Sequence, residues 1–440
     1  VKALPAIGPN RPLRLPDTAE RTLANGLTVI AVPRRTVPLV EVRLRVPFAT
    51  APLAETAVLT QTLFSGTGDM STVDIAAELQ KVGGGLSSGA DPDRLMISGN
   101  SLVDGLDRLL GILAEVLQGA SYPDDEVATE RGRLADRIKI AQTQPSHLAR
   151  VALLRRMYGG HPYAVQTPTP EQVLEVGSPE LRGLHGQRVH AAGAILVLVG
   201  DIEPQRALDA AERALSMWDG GGKEVELPAT PDLIPGPLTL VNRPDAVQSS
   251  LRLALPAVTR THPDHAVLQL ANLVFGGYFS SRWVENIRED KGYTYGPHSG
   301  IEHAVAGSAL VVSAEVATEV TAPALLETVY ELGRLATLPP GEDELEQARQ
   351  YALGTLQLGM STQSGLAGLV STYAGFGLRL DYLAEHAQRL ARATREEVAA
   401  AASRYLAPSR AVTVVLGDAS RTESTLSVLT PVVRAESAGA

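Results

Sequence analysis

Ala194-Ile195-Leu196-Val197-Leu198-Val199-Gly200-Asp201 is an unbroken apolar run closed by Gly-Asp, the pattern of a buried strand. The pattern returns as Ala411-Val412-Thr413-Val414-Val415-Leu416-Gly417-Asp418, with Gly417 lying 217 residues after Gly200. Moving outward, a strand at Val40–Val46 is answered by one at Ser250–Leu255. Ala57-Val58-Leu59 running to Phe64-Ser65-Gly66 is answered by Ala266-Val267-Leu268 running to Phe275-Gly276, an offset of 211 residues at the phenylalanines. Tyr122-Pro123-Asp124-Asp125-Glu126 finds its counterpart in Pro339-Pro340-Gly341-Glu342-Asp343-Glu344. Four correspondences in one order, at nearly one offset, describe a duplication: two homologous halves of roughly 210 residues. Between them lie Gly220-Gly221-Gly222 and Pro228, Pro231, Pro235 and Pro237, the composition of an interdomain linker. The expected organisation is residues 1–219, a linker at 220–237, and 238–440.

Within the first half, Asn25-Gly26 between apolar alternations predicts a hairpin, and Leu39–Val46 a strand with one wet face. Helices are expected at 53–64, after a capping-box start at Ser71-Thr72-Val73-Asp74, and at 103–118, 124–142 and 204–218. Strands are expected at 86–90 and 94–99, and an extended Pro-rich arm at 1–17. The fold class is therefore α+β, each half a mainly antiparallel sheet packed with helices.

Composition excludes several functions. With 440 residues and 44% apolar content there is material for two sizeable cores, and no apolar run approaches the roughly 20 residues of a membrane span. A formal net charge of −10 argues against a nucleic-acid binder, which needs a basic footprint. The absence of cysteine removes disulfides, thiolate metal sites and a thiol nucleophile. The start has no signal-peptide architecture, and the cytoplasm is the expected compartment. No Gly-x-Ser-x-Gly elbow is present, and Gly83-Gly84-Gly85 lacks the Lys-Ser/Thr of a phosphate loop. Of the nine histidines, His262 and His265 have a ligand-like spacing, but Thr261 and Asp264 there read as helix caps.

The remaining feature is Gly276-Gly277-Tyr278-Phe279-Ser280-Ser281-Arg282 through Ile287-Arg288-Glu289-Asp290-Lys291-Gly292-Tyr293-Thr294-Tyr295. It reads as an apolar helix meeting a glycine pair, a second helix with Trp283 and Ile287 on one face, and the start of a strand. Arg288 and Tyr295 could both reach a peptide carbonyl across that corner. The structural alternative makes Arg288 a helix C-terminal cap and Tyr295 a half-buried strand aromatic.

These residues carry a resemblance. Asn25-Gly26-Leu27, Leu63-Phe64-Ser65-Gly66-Thr67, Gly83-Gly84-Gly85, Glu130-Arg131-Gly132, His161-Pro162-Tyr163 and Gly276 to Tyr295 resemble the zinc peptidase family of pitrilysin, insulin-degrading enzyme and the mitochondrial processing peptidases. The family places H-x-x-E-H on the helix before the Leu-Phe-x-Gly-Thr segment. Two histidines on one helical face bind zinc, the glutamate activates the metal-bound water, and a downstream carboxylate completes the shell. Here the two histidine positions hold Ala57 and Gln61, the glutamate position Thr60 and the downstream ligand position Arg137, seven residues after Glu130. A guanidinium repels a metal ion, so no zinc site is expected in this chain.

The resemblance does imply a role for Arg288 and Tyr295, which match a family pair that holds the substrate and steadies its reacting carbonyl. Bacterial members often pair a subunit carrying H-x-x-E-H with one carrying Arg/Tyr. The implied function is the non-catalytic subunit of a heterodimeric zinc metallopeptidase, with zinc and H-x-x-E-H in the partner, and peptide as substrate. The alternative is a silent scaffold of the same fold, as in respiratory-complex core subunits.

Overall fold

The computed structural model describes residues 13–222 and 226–438. The expected arm at 1–17 therefore lies mostly outside the described residues, as does part of the linker.

Each half forms a six-stranded sheet. The first contains β1 (Ala19–Thr22), β2 (Thr28–Pro33), β3 (Leu39–Pro47), β4 (Gly85–Ala90), β5 (Arg94–Leu102) and β6 (Ile195–Gly200) in the order β1-β2-β6-β3-β5-β4. The second contains β7 (Leu238–Asn242), β8 (Gln248–Pro256), β9 (His298–Ala304), β10 (Gly307–Ala317), β11 (Val412–Gly417) and β12 (Val432–Ala435) in the order β12-β7-β11-β8-β10-β9. Five strands correspond one to one, and so do their directions. β2 with β6 and β7 with β11 are the parallel counterparts, and the remaining shared ladders are antiparallel. The sixth strand differs: β1 precedes β2 and pairs antiparallel, whereas β12 follows β11 and pairs parallel to β7.

Local chemistry places these elements. Gly26 turns the first hairpin at φ 88°, which a side chain resists. Ser71 and Asp74 exchange both bonds of a capping box, as expected from sequence. Helices Asp124–Ala141 and Glu342–Gly359 occupy equivalent places, each with three acidic residues in its first turn to complement the helix dipole.

The sheets are covered in an exchanged manner. On one face of the first sheet, Leu196 and Leu198 join Val40, Val42 and Leu44 in a core built with that half's own helices. On the other face, Val32, Val197 and Val199 pack against Leu366, Ala367 and Val370, carried by helix Gln363–Ala374 of the second half. Reciprocally, Ala149, Leu153 and Met157 of helix Pro145–Tyr158 pack against Ala254, Val414 and Leu416 of the second sheet. This double coverage explains why the β6 run is apolar without alternation. Full burial of one such side chain contributes about 1.5–3 kcal/mol, so each crossing helix is a large fraction of the joint stability.

The 220–237 segment contains neither helix nor strand among its described residues, yet it is tied to both halves. The His161 ring meets Pro228 O at 2.9 Å, Arg156 donates to Ile234 O at 3.0 Å, and Thr230 N donates to Ala306 O at 3.3 Å. No helix among the described residues is long and apolar enough to cross a membrane.

Candidate functional site

The first corner to examine is helix Leu53–Thr62, where Val58 and Leu59 are fully buried and hold it to the core. Thr60 Oγ donates to Ala57 O at 2.9 Å, an i−3 bond within the helix, and Ser88 of edge strand β4 donates to Thr60 O at 2.7 Å. Exposed Gln61 accepts from Arg137 Nη2 at 2.7 Å, the arginine arriving from helix Asp124–Ala141. Glu130 pairs with Arg133 at 2.6 Å. The fold thus brings Gln61 and Arg137 together, as ligand positions would be. A methyl, a hydroxyl and an amide facing a guanidinium do not fit zinc, which takes imidazole, thiolate or carboxylate.

The second corner is built on two π-helical turns, Leu273–Gly277 and Glu285–Asp290, geometry that recurs at functional sites. Between them Trp283 stacks on Phe275 at 5.4 Å and donates its indole N–H to Thr328 Oγ at 2.9 Å. That stack requires Gly276, because a Cβ there would lie 2.8 Å from the Trp283 ring. Arg282 grips Glu344 through two bonds of 2.6 and 2.7 Å, and Asn286 donates to Glu327 and Glu331. Ile287 is fully buried and locks the turn that presents Arg288. Gly292, at φ 66°, ends the turn, and Tyr293 N reaches back to Ile287 O at 2.8 Å.

Arg288 lies between two aromatic rings. Its guanidinium carbon is 4.5 Å from the Phe279 centroid and 5.1 Å from that of Tyr295. Nε contacts Glu289 at 3.2 Å, and among the described residues no acceptor takes either Nη group. Tyr295 is 86% exposed, with no described partner for its hydroxyl. The pair borders an open groove of about 700 Å³ whose lining includes Gln248 and Glu315 from the adjoining strands.

The structure corrects several expectations here. Residues 291–297 form a loop, and β9 begins only at His298, because Gly292 turns the chain and Gly296-Pro297 interrupts any pairing. Tyr295 is therefore a solvent-facing loop residue, and Arg288 makes no described bond to a helix carbonyl. Asp264 does not cap its helix by side chain; its carboxylate binds Arg404 at 3.0 Å and Tyr405 at 2.7 Å.

Sequence reasoning missed two groups. Phe279, one wall of the Arg288 sandwich, was signalled only by being an aromatic beside a glycine pair. His265, His303 and His386 form a buried cluster: His265 and His303 meet Nε2 to Nε2 at 3.3 Å, and His386 stacks on His265 at 4.8 Å. Burial first, then neighbouring positive groups including Arg260, pushes the three imidazoles down to about 2, about 3 and about 4 respectively.

Comparison with known sequences bears on both corners. The profile described as insulinase (peptidase family M16) matches residues 57–171, beginning at the Ala57 position, and that described as the peptidase M16 inactive domain matches 176–351, which includes Arg288 and Tyr295. The chain belongs to the M16 peptidase family. A protein from Mycobacterium tuberculosis described as an uncharacterized zinc protease is 25% identical over 369 residues, 81% of this chain and 82% of its own. One from Bacillus subtilis with the same description is 24% identical over 69% of this chain and 74% of its own. In fold, the M16 inactive-domain crystal structure from Pseudomonas fluorescens superposes with TM-score 0.84 at 23% identity, over 91% of this chain and 98% of that one. A protease from Helicobacter pylori gives TM-score 0.83 at 19% identity, over 92% and 100%. The sequence contains no H-x-x-E-H, its first histidine being His147.

Proposed function

We propose that this chain is the non-catalytic subunit of an M16 zinc peptidase, lending Arg288 and Tyr295 to a partner that carries H-x-x-E-H and the zinc. The observation behind this reading is that Arg288, on a turn held by buried Ile287, is adjacent to the exposed Tyr295, and that Nη and hydroxyl lack described acceptors. Zinc in the partner would supply the activated water. The donors on this chain then face the oxygen on which negative charge grows, or hold a neighbouring carbonyl of the same peptide. Preorganised donors of this kind are worth roughly 10²–10³ in rate. A peptide pairing with an exposed sheet edge would be recognised through its backbone, with little demand on sequence.

Cleavage of a quenched fluorescent peptide by this chain, by its H-x-x-E-H partner and by the mixture tests the proposal. Chelator-sensitive activity is expected in the mixture alone, falling roughly 10²-fold or more with Arg288→Ala and less with Tyr295→Phe. A partner fully active without this chain would leave a scaffold as the better account.

A further inference from the structure

A second cavity, of about 590 Å³, opens where the first sheet, the linker and the second half meet. Its wall includes Arg45 from β3, Arg94 from β5 and Arg188 from the end of helix Ser178–Arg188. Each guanidinium is held by neutral acceptors. Arg45 donates to Ser371 Oγ at 2.7 Å and Thr372 Oγ at 3.1 Å, Arg94 donates to Gly375 O, and Arg188 donates to Ala49 O. Among the described residues none of the three makes an ion pair with a carboxylate.

Arg45 and Arg94 lie side by side, Arg94 buried and Arg45 half-buried, and half-buried Arg188 lines the same cavity. A Cβ placed on Gly375 would lie 3.3 Å from both Arg45 Cδ and Arg94 Cζ, so the two side chains flank one residue. Arg94 is 8% exposed, and its guanidinium lies 5.1 Å from the Phe376 ring. Burial and then the Arg94 charge push the Arg45 guanidinium below its usual value, and burial does the same to Arg188. Asp93, the carboxylate in the wall, is already committed: Tyr163 donates to it at 2.5 Å and Val305 N at 2.8 Å. Asp91 partly offsets Arg45, but its Oδ1 accepts from the backbone N–H of Asp93 and Arg94. His190 also lines the cavity, its Nδ1 buried without a hydrogen bond and 3.6 Å from Asp219.

Three partly desolvated cations that make no ion pair with a carboxylate among the described residues are costly unless an anion completes them. Arginine's planar fork suits a carboxylate or phosphate. The cavity's size lies within the roughly 300–1,000 Å³ of small-molecule sites, which favour domain junctions. We propose that this cavity binds a small organic anion, a carboxylate or phosphate carried on an apolar body, between Arg45, Arg94 and Arg188. The site is independent of the Arg288 groove, and its occupant would bridge the two halves.

The test uses the full chain with phenyl phosphate and with benzoate, followed by calorimetric titration and thermal unfolding. Potassium chloride at matched ionic strength and neutral benzyl alcohol serve as controls. One saturable site is expected, with Tm raised by about 3 °C at a hundredfold excess over Kd. Response to one probe alone identifies the oxyanion as phosphate or carboxylate. Arg45→Gln and Arg188→Gln should each lower affinity at least tenfold while leaving the anion-free Tm unchanged or higher, since each removes an unpaired charge. Anions that act no more strongly than chloride would overturn the proposal. So would variants that lose Tm yet keep full affinity, because the arginines would then serve only to bind the halves together.

Discussion

The helices at Leu53–Thr62 and His265–Asn272 stand at equivalent places beside two sheets that share five of their six strands, yet the chemistry beside them differs. In the first half, Gln61 and Arg137 satisfy each other at 2.7 Å. In the second, Arg288 rests between two rings and Tyr295 faces solvent, with donors that the described residues leave unused. Side chains that complete one another need nothing further from outside. Those held in place but left incomplete can take an external acceptor, and on the proposed function the difference separates a retired site from a retained one.

Restoring the first corner is the most severe way to break this contrast. Ala57→His, Thr60→Glu, Gln61→His and Arg137→Glu together should give a chain that holds one more equivalent of zinc after dialysis than the unsubstituted chain. Structural zinc sites release on the order of 10 kcal/mol, so metal analysis gives a clear answer, and no retained metal would mean the backbone has drifted from ligating geometry.

Acid should next distinguish the halves, because the histidine cluster belongs to the second. The unfolded chain takes up protons at these residues as pH falls through about 6.5, whereas the folded imidazoles resist until about 4 or below. Stability present at neutral pH is therefore lost from about pH 6.5 downward, by up to about 4 kcal/mol per pH unit for three sites. Urea midpoints between pH 7 and 5 measure this, and His386→Gln should remove about a third of the slope.

A finer test is Phe279→Ala, which removes one wall of the Arg288 sandwich. The loss of a cation–π contact of about 0.5–1 kcal/mol should lower kcat/KM of the complex two- to fivefold, with unchanged urea stability. Smallest of all, Arg137→Ala should alter stability by less than about 0.5 kcal/mol and leave the complex's activity intact. A large activity loss there would show that the first corner still works.

Much of this contrast was legible in the sequence. The strands announced themselves through alternation and through the repeated Gly-Asp closure, and counting from Phe64 and Thr67 pointed to Gln61 and Arg137, which the fold brings within 2.7 Å. The crossing helices were not legible: the apolar residues of Pro145–Tyr158 and Gln363–Ala374 indicate burial, but nothing local says against which sheet. Tyr293-Thr294-Tyr295 imitates a strand because three residues cannot outweigh the glycine turn before them. The histidine cluster joins positions 265, 303 and 386, which only the tertiary fold brings into contact. The arginine cavity likewise gathers residues from β3, β5 and a distant helix.

The exchanged helices also speak to ancestry. Residues 145–158 and 363–374 occupy matching places in the two repeats, and each covers the other repeat's sheet. A single ancestral repeat would have left one sheet face bare, and two identical copies trading that helix would have covered both. The present chain has the arrangement of such a helix-swapped pair joined into one polypeptide.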